Sequence, residues 1–369
     1  MALTNWARLT DNQKRAWSLR FWKNARNSSF LTRVLGSNQD SVVQRITELK
    51  KSSKGTQAVI TLIPDAVGDG VAGDRTLKGN EEALSSAEQV IRVDQLRHAH
   101  KSEGRMADQK TIVNFRKEAS EQLGHWIGDR IDQMAFLALS GVDFTKKNNG
   151  ADRVGSDLQY LEFAADINAP TTNRHFNWAG DATGLTTGNT GADDHALPTY
   201  EMLLHMKAKA QDEYLKPVRG EMGTELYHVF MTPQGIKQLK MDDKFHNAVR
   251  DAMPRTPNNP LFKGFGTIYV DGMAIHTHRY VYNTSGATSG TGKWGSGADV
   301  DGQRVIFAGA QALAYADLGS PYWVEEDDDY ENQMAISVGK IFGFLKPQFT
   351  SVVHGTTEDF GVMVVDTKI

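Results

Sequence analysis

Three groups of residues have types and spacings that chemistry uses. Gly68, Gly70 and Gly73 form a GxGxxG after the β-rich run AVITLI, with Asp94 about 20 residues further on, which is the spacing of a dinucleotide-binding turn. That chemistry needs a helix to open at the third glycine, so that its N-terminus faces the pyrophosphate. The residues after Gly73 are DRTLKGNEEALSS, with Gly79-Asn80 in their middle and few periodic apolar positions, and Pro64-Asp65 already parts the strand from the loop. The glycines read instead as a hairpin tip that needs positive φ. His98 with His100 and His276 with His278 are H-x-H pairs, which on strands would share a face and could begin a metal site. No third ligand is identifiable, and a polar, exposed strand face is the simpler expectation. The acidic run Glu325 to Asp329 offers oxygens to a cation but lacks the glycine-spaced loop of a calcium site. It reads as solvated charge, or as the partner of a basic neighbouring surface. With no GxSxG, Walker, HExxH or paired-acid arrangement, no catalytic residue, cofactor or metal is assigned.

The elements that would position these groups are organised around residues 106–140. Ile112, Phe115, Ala119, Leu123, Trp126, Ile127, Ile131, Met134 and Ala138 recur at three- and four-residue steps, one buried face of a helix about 50 Å long. A helix of that length cannot lie wholly inside one compact core. Its opposite face carries Lys110, Lys117, Glu118, Glu121, Gln122, Asp129, Asp132 and Gln133, with Lys117 and Glu121 four apart as a weak ion pair. Gly124 and Gly128 interrupt it one turn apart, marking a close backbone approach or a bend. Gly141 follows as a stop.

Residues 1–54 read as an arm with short helices, whose Trp6, Trp17, Phe21, Trp22 and Phe30 need another surface to bury them. The arm closes on SVVQRITELKK, expected to be a helix from the Ser41/Gln44 capping-box pattern. Runs 56–64 and 88–96 read as the two strands of a long hairpin, whose tip has too little apolar surface to fold alone. Residues 168–195 and 283–302 read as loops. A helix is expected over 199–214 with Tyr200, Leu203, Leu204 and Ala208 on one side, and a strand over 225–231 entering a Thr232-Pro233 helix start. Asp271-Gly272 signals a tight hairpin turn. RVIFAGAQALAYADL reads as a strand followed by small-residue packing, and two more β-rich runs close the chain. Strands and helices interleave without a βαβ rhythm, so the fold class is α+β.

The 369 residues include 41 basic and 45 acidic side chains and no cysteine. Disulfides, thiolate metal sites and a cysteine nucleophile are excluded, and no basic cluster marks a nucleic-acid footprint. Neither an export signal nor an apolar run of about 18 residues is seen, so no membrane partner is expected.

The order of WARLTDNQKRAWS, VVQRITELKKSSKG, GVAGDRTLKGNEEAL, VDQLRHAH and LGHW, followed by YHVFMTPQGIKQLK, NPLFKGFGTIYVDGMAIHTHRYV, FAGAQALAYAD and DFGVMVVDT, resembles the major capsid proteins of tailed bacteriophages, within the enquatrovirus-like podovirus branch. The resemblance covers nearly the whole length and implies the HK97-type capsid fold. It implies an N-terminal arm (1–54), an extended hairpin loop (55–104), a peripheral domain (105–214 with about 321–369) built on the spine helix 106–140, and an axial domain (215–320).

The implied function is mechanical: pentamers and hexamers of this chain closing an icosahedral shell around double-stranded DNA held without sequence-specific contacts. The shell would assemble in the host bacterial cytoplasm, with portal, scaffolding and decoration proteins as further partners. Trp6, Trp17, Phe21 and Trp22 of the arm, and Gly68, Gly70, Gly73, Asp74, Glu81 and Glu82 of the hairpin tip, are the expected intersubunit contacts. Gly124 and Gly128 are the expected bend points of the spine. A near-neutral chain suits a shell that must release its DNA. The competing expectations are an encapsulin-like cargo compartment and a nucleotide-dependent enzyme using residues 68–73.

Overall fold

The computed structural model describes residues 29–47, 55–62, 69–81, 87–110, 114–219, 225–252, 267–351 and 354–369. Its first strands are β1 (Leu35–Gly36) and β2 (Val43–Ile46). β2 replaces the helix expected over SVVQRITELKK. Val42, Val43 and Ile46 are buried, and β2 pairs in parallel with a strand 270 positions on, through Val43↔Leu313, so tertiary pairing overrides the local capping pattern.

The expected hairpin forms, with β3 (Gln57–Leu62) antiparallel to β4 (Ala87–Arg92). After Val93 the chain leaves this ribbon as β5 (Asp94–Lys101) and enters a larger sheet. The helix expected over 106–140 is divided. A short helix, Arg105–Lys110, precedes a 26-residue helix, Phe115–Ser140. Asn114 is extended (φ −80°, ψ 106°) and its side chain accepts from the Lys117 N–H, an N-cap that starts a new helix. The long helix is therefore about 39 Å, not 50 Å. Gly141, at φ 64°, ends it as expected.

Residues 168–195 are more ordered than a loop: they hold β6 (His175–Trp178) and β7 (Leu185–Thr187), with Trp178 fully buried. The helix Tyr200–Asp212 starts on its Thr199 cap, but it buries Met202, Leu203, Met206 and Ala210, leaving Leu204 exposed. Its two methionines shift the apolar stripe from the one expected. Next come β8 (Val218–Arg219), β9 (Glu225–Met231) and the helices Pro233–Met241 and Asp243–Ala252. The first of these helices begins as anticipated, with the Thr232 hydroxyl accepting from the Gly235 N–H at 3.1 Å. β10 (Thr267–Val270) and β11 (Met273–Thr277) join through Asp271 and Gly272, both at positive φ. RVIFAGAQALAYADL contains two strands, β12 (Gly302–Ala308) and β13 (Leu313–Asp317), because the small residues between them turn the chain into a second sheet. Last are β14 (Tyr322–Asp328), β15 (Gln333–Leu345), β16 (Gln348–Thr350), β17 (Thr357–Asp359) and β18 (Val362–Lys368).

Two sheets dominate this α+β fold. A six-stranded sheet runs β1-β2-β13-β15-β14, with β5 on the far edge of β15, and an eight-stranded sheet runs β10-β11-β9-β12-β18-β6-β7, with β8 on β9. The sheets cut across a partition by chain order: β6, β7 and β18 belong to the larger, β13 to the smaller.

The long helix packs with the six-stranded sheet in one core that includes Leu123, Ile127, Met134, Ile336 and Phe342. Its two halves differ. From Ile131 to Ser140 every residue but Gln133 is buried, whereas Lys117, Glu121, Gln122 and His125 are exposed and Lys117 does not pair with Glu121. Asp132, expected on the polar face, is buried. Gly124 and Gly128 are buried at mid-helix.

Helix and large sheet are tied by Arg304 of β12. Its guanidinium grips the buried Asp366 of β18 through Nε and Nη2 at 2.8 and 2.9 Å, and Nη1 donates to the Ser140 carbonyl at the helix end at 2.9 Å. Arg304 holds the Asp366 carboxyl at about 2, against the opposing effect of burial. Satisfying the helix terminus and neutralising a buried charge together is what makes so dry an ion pair tolerable.

Candidate assembly surfaces

Two parts of the chain, the end of the arm and the hairpin, dock on this body. The arm enters it at residues 29–31, where the buried carboxylate of Asp132 accepts from the Ser29 hydroxyl (2.6 Å) and from the Phe30 and Leu31 N–H groups (2.7 and 3.1 Å). Burial nevertheless raises the Asp132 carboxyl above its ordinary value. Phe30 inserts between Phe136 of the long helix, Phe230 of β9 and the rings of His276 and His278. So one H-x-H pair is not an exposed strand face. His276 is buried, 2.9 Å from His228 across the β9–β11 pairing, and His278 stacks on Phe136 at 4.6 Å. Burial pushes all three imidazoles down to about 4, so they are neutral packing groups above that pH. Sequence reasoning missed this arm root because Asp132 looked like a surface charge and Phe30 gave no partner. Trp6, Trp17, Phe21 and Trp22 lie outside the described residues.

The hairpin is the second such part. The base of its β3–β4 ribbon packs Ala58, Ile60, Ile91 and Val93 on Ile46, Ala314, Ala316 and Leu345, against the six-stranded sheet. The ribbon's other side shows the cross-strand pair Val59 and Val90, both exposed, and Leu77 is exposed near the tip. Gly70 and Gly73 sit at φ 71° and 66° with nothing around them, and Gly70, Gly73, Asp74 and Glu81 are all exposed. Glu81 closes a local turn by accepting from the Gly79 N–H at 2.6 Å. Gly68 and Glu82 lie outside the described residues. No helix opens at Gly73, so the arrangement that phosphate binding requires is not formed among the described residues.

The other chemical candidates resolve into structural contacts. His98 stacks on Trp126 at 4.6 Å, and no third metal ligand joins it among the described residues. The acidic run lies on β14 and the turn after it, with Glu325 bound by Arg116 at 3.1 Å and Asp328 by Lys101 at 2.8 Å. Glu213, His354 and Glu358 bring ligand atoms within 4.8 Å of one another. Lys209 (2.7 Å from Glu213) and Arg174 (3.2 Å from Glu358) already neutralise those carboxylates, so the trio is a salt network.

A body that pairs its buried charges, joined to a ribbon whose outer valines stay exposed among the described residues, is the form of a subunit. A family model described as phage capsid protein matches residues 5–369. The chain belongs to this family. It is 49% identical over 365 residues to the major capsid protein of Pseudomonas phage KPP25, covering 98% of this chain and 96% of that one. The capsid of Ralstonia phage GP4 superposes with a TM-score of 0.72 at 24% identity, over 92% of this chain and 90% of that one. The capsid subunit of cyanophage Pam1 gives 0.69 at 19% identity, over 100% and 96%. The fold of this capsid chain is thus the HK97 type, and its family is structural and not a class of enzymes.

Proposed function

We propose that this chain is the major capsid protein of its phage, assembling as pentamers and hexamers into an icosahedral shell around double-stranded DNA. In this reading the six-stranded sheet and long helix form the peripheral domain and the eight-stranded sheet the axial domain. The arm and the hairpin cross to neighbouring copies, carrying Trp6, Trp17, Phe21 and Trp22, and the tip residues from Gly68 to Glu82, into intersubunit contacts. Buried Gly124 and Gly128 are the points where the long helix bends as curvature changes. The observation that carries the reading is the ribbon. One face of its base is buried on the six-stranded sheet, while Val59 and Val90 on the other face, and Leu77 near the tip, present apolar surface that nothing among the described residues covers. Portal, scaffolding and decoration proteins would complete the particle in the host cytoplasm.

Electron microscopy of the purified chain is the test. Icosahedral shells of genome-holding size are expected; small cargo-sized shells would point to an encapsulin-like compartment, and the absence of any shell would overturn the reading.

A further inference from the structure

A groove of about 920 Å³ lies between the start of β5, the middle of the long helix and the loop 147–158. Its cations are Arg97, Arg130, Lys147, Arg153 and Arg279, against a single lining carboxylate, Asp157, and Trp126 and Tyr280 give it aromatic walls. Asp129 answers Arg279 at 3.0 Å. The other four cations make no ion pair among the described residues. Arg130 donates to the neutral Gln133 at 2.7 Å, and Arg153 donates through Nε to the Lys146 carbonyl at 2.9 Å while its Nη2 is buried without a partner. Arg97 and Lys147 are exposed. Burial lowers the Arg153 guanidinium, and the like charge of Arg130 lowers it further. Repulsion among four uncompensated cations in a semi-enclosed space is a cost that an anionic partner removes.

The same chain carries a surface of opposite character. Near the end of β14, Glu326 and Asp327, on opposite faces of the strand, make no ion pair among the described residues. Tyr330 is fully exposed at the apex between Asp329 and Glu331, all three at positive φ (50°, 53° and 66°). The Arg116–Glu325 and Lys101–Asp328 pairs fix this tip beside the start of the long helix. Along the long helix the first groove residue, Trp126, lies ten residues, about 15 Å, beyond Arg116, and no residue of the tip lines the groove of its own chain.

We propose that the cationic groove receives the acidic β14–β15 tip of a second copy of this chain. The inference rests on the self-assembly proposed above. Tyr330 suits an aromatic- and arginine-lined groove, and Glu326 and Asp327 answer its charges. Two grooves of one sign cannot pair with each other, so the contact joins different patches on successive copies, the heterologous geometry from which rings and closed shells are built. Duplex DNA is the other polyanion that could enter, and the test separates the two.

The exposed cations are reversed as Arg97→Glu with Lys147→Glu, the tip as Glu326→Lys with Asp327→Lys, and a fourth chain carries all four changes. Shell yield is read by sedimentation and electron microscopy, and folding by thermal melting. Each reversed pair is expected to lower shell yield by about tenfold or more with melting nearly unchanged, and the quadruple variant to recover a large part of the loss. If a reversed pair unfolds, the neutral variants Arg97→Gln with Lys147→Gln and Glu326→Gln with Asp327→Gln replace it, with a smaller loss expected. Failure of the unaltered chain to form shells would strike the assembly reading itself. Normal yield from either folded pair, or no recovery in the quadruple variant, would overturn the groove proposal alone. So would a groove variant that assembles normally but loses a duplex-DNA mobility shift shown by the unaltered chain.

Discussion

Two ribbons leave the six-stranded sheet, and they are made in opposite ways. The β3–β4 ribbon is turned by glycines in open space, makes no ion pair to the body at its described tip, and presents valines on its outer side. The β14–β15 ribbon is turned by Asp329, Tyr330 and Glu331, each in the left-handed region at a cost of about 1–2 kcal/mol, and charged pairs clamp it to Arg116 at the start of the long helix and to Lys101 at the end of β5. The first can adapt its path to what it meets; the second presents fixed side chains. In the assembly proposed above, that difference would separate an element that reaches from one that keys.

The largest break in the comparison comes from deleting residues 66–84. The ribbon base keeps its packing on the sheet, so the subunit should melt close to the unaltered chain while forming no shells. Intact shells would show that the reaching tip is dispensable.

The next effect concerns the arm, the other reaching element, through its root. His228, His276 and His278 titrate near 4 when folded, against about 6.5 unfolded. Between those values the unfolded chain binds more protons, so stability falls as pH drops from about 6.5 to 4 and is level below, a loss of at most about 3 kcal/mol per imidazole. The raised Asp132 carboxyl opposes this, since the folded state takes up its proton first, and the nearby charges of Arg33, Arg279 and Asp129 also act on these rings. Melting against pH, with His278→Gln flattening the dependence, checks it.

A smaller effect is expected at the ribbon base. A Cβ at Gly343 of β15 would stand 2.0 Å from the Arg92 carbonyl, so Gly343→Ala should lift the ribbon from the sheet and cost about 1–3 kcal/mol in denaturant unfolding. The smallest change sharpens the contrast. Asp329→Gly with Glu331→Gly should stabilise the β14–β15 turn by about 1 kcal/mol in total, and yet impair assembly if a rigid tip is what the shell uses.

Much of the fold was legible where a local signal had no competitor. The Thr232-Pro233 helix start, the Asp271-Gly272 turn and the strand at 225–231 follow from residue chemistry within a few positions, and the β3–β4 pairing from two β-rich runs of equal length. The errors have two causes. At Ser41 to Ile46, at Asn114 and at His175 to Trp178, partners more than a hundred residues away, or a single cap, decided the state against the local period. The assembly surfaces were legible as deficits: a tip with no apolar support, rings with no burial site. Their complements were not, because the groove is gathered from β5, the long helix, the loop after it and Arg279, whose charges are scattered in the sequence.

The central claim is that the β3–β4 ribbon is anchored by one face of its base and that its tip is ordered by contact with neighbours. Backbone amide hydrogen exchange, measured on the free subunit and on assembled shells, tests it most directly. Amides of Ala58, Ile60 and Ile91 should be slow in both states, whereas those of residues 69–81 should be fast in the free subunit and become protected in the shell. Equal exchange of residues 69–81 before and after assembly would contradict the account.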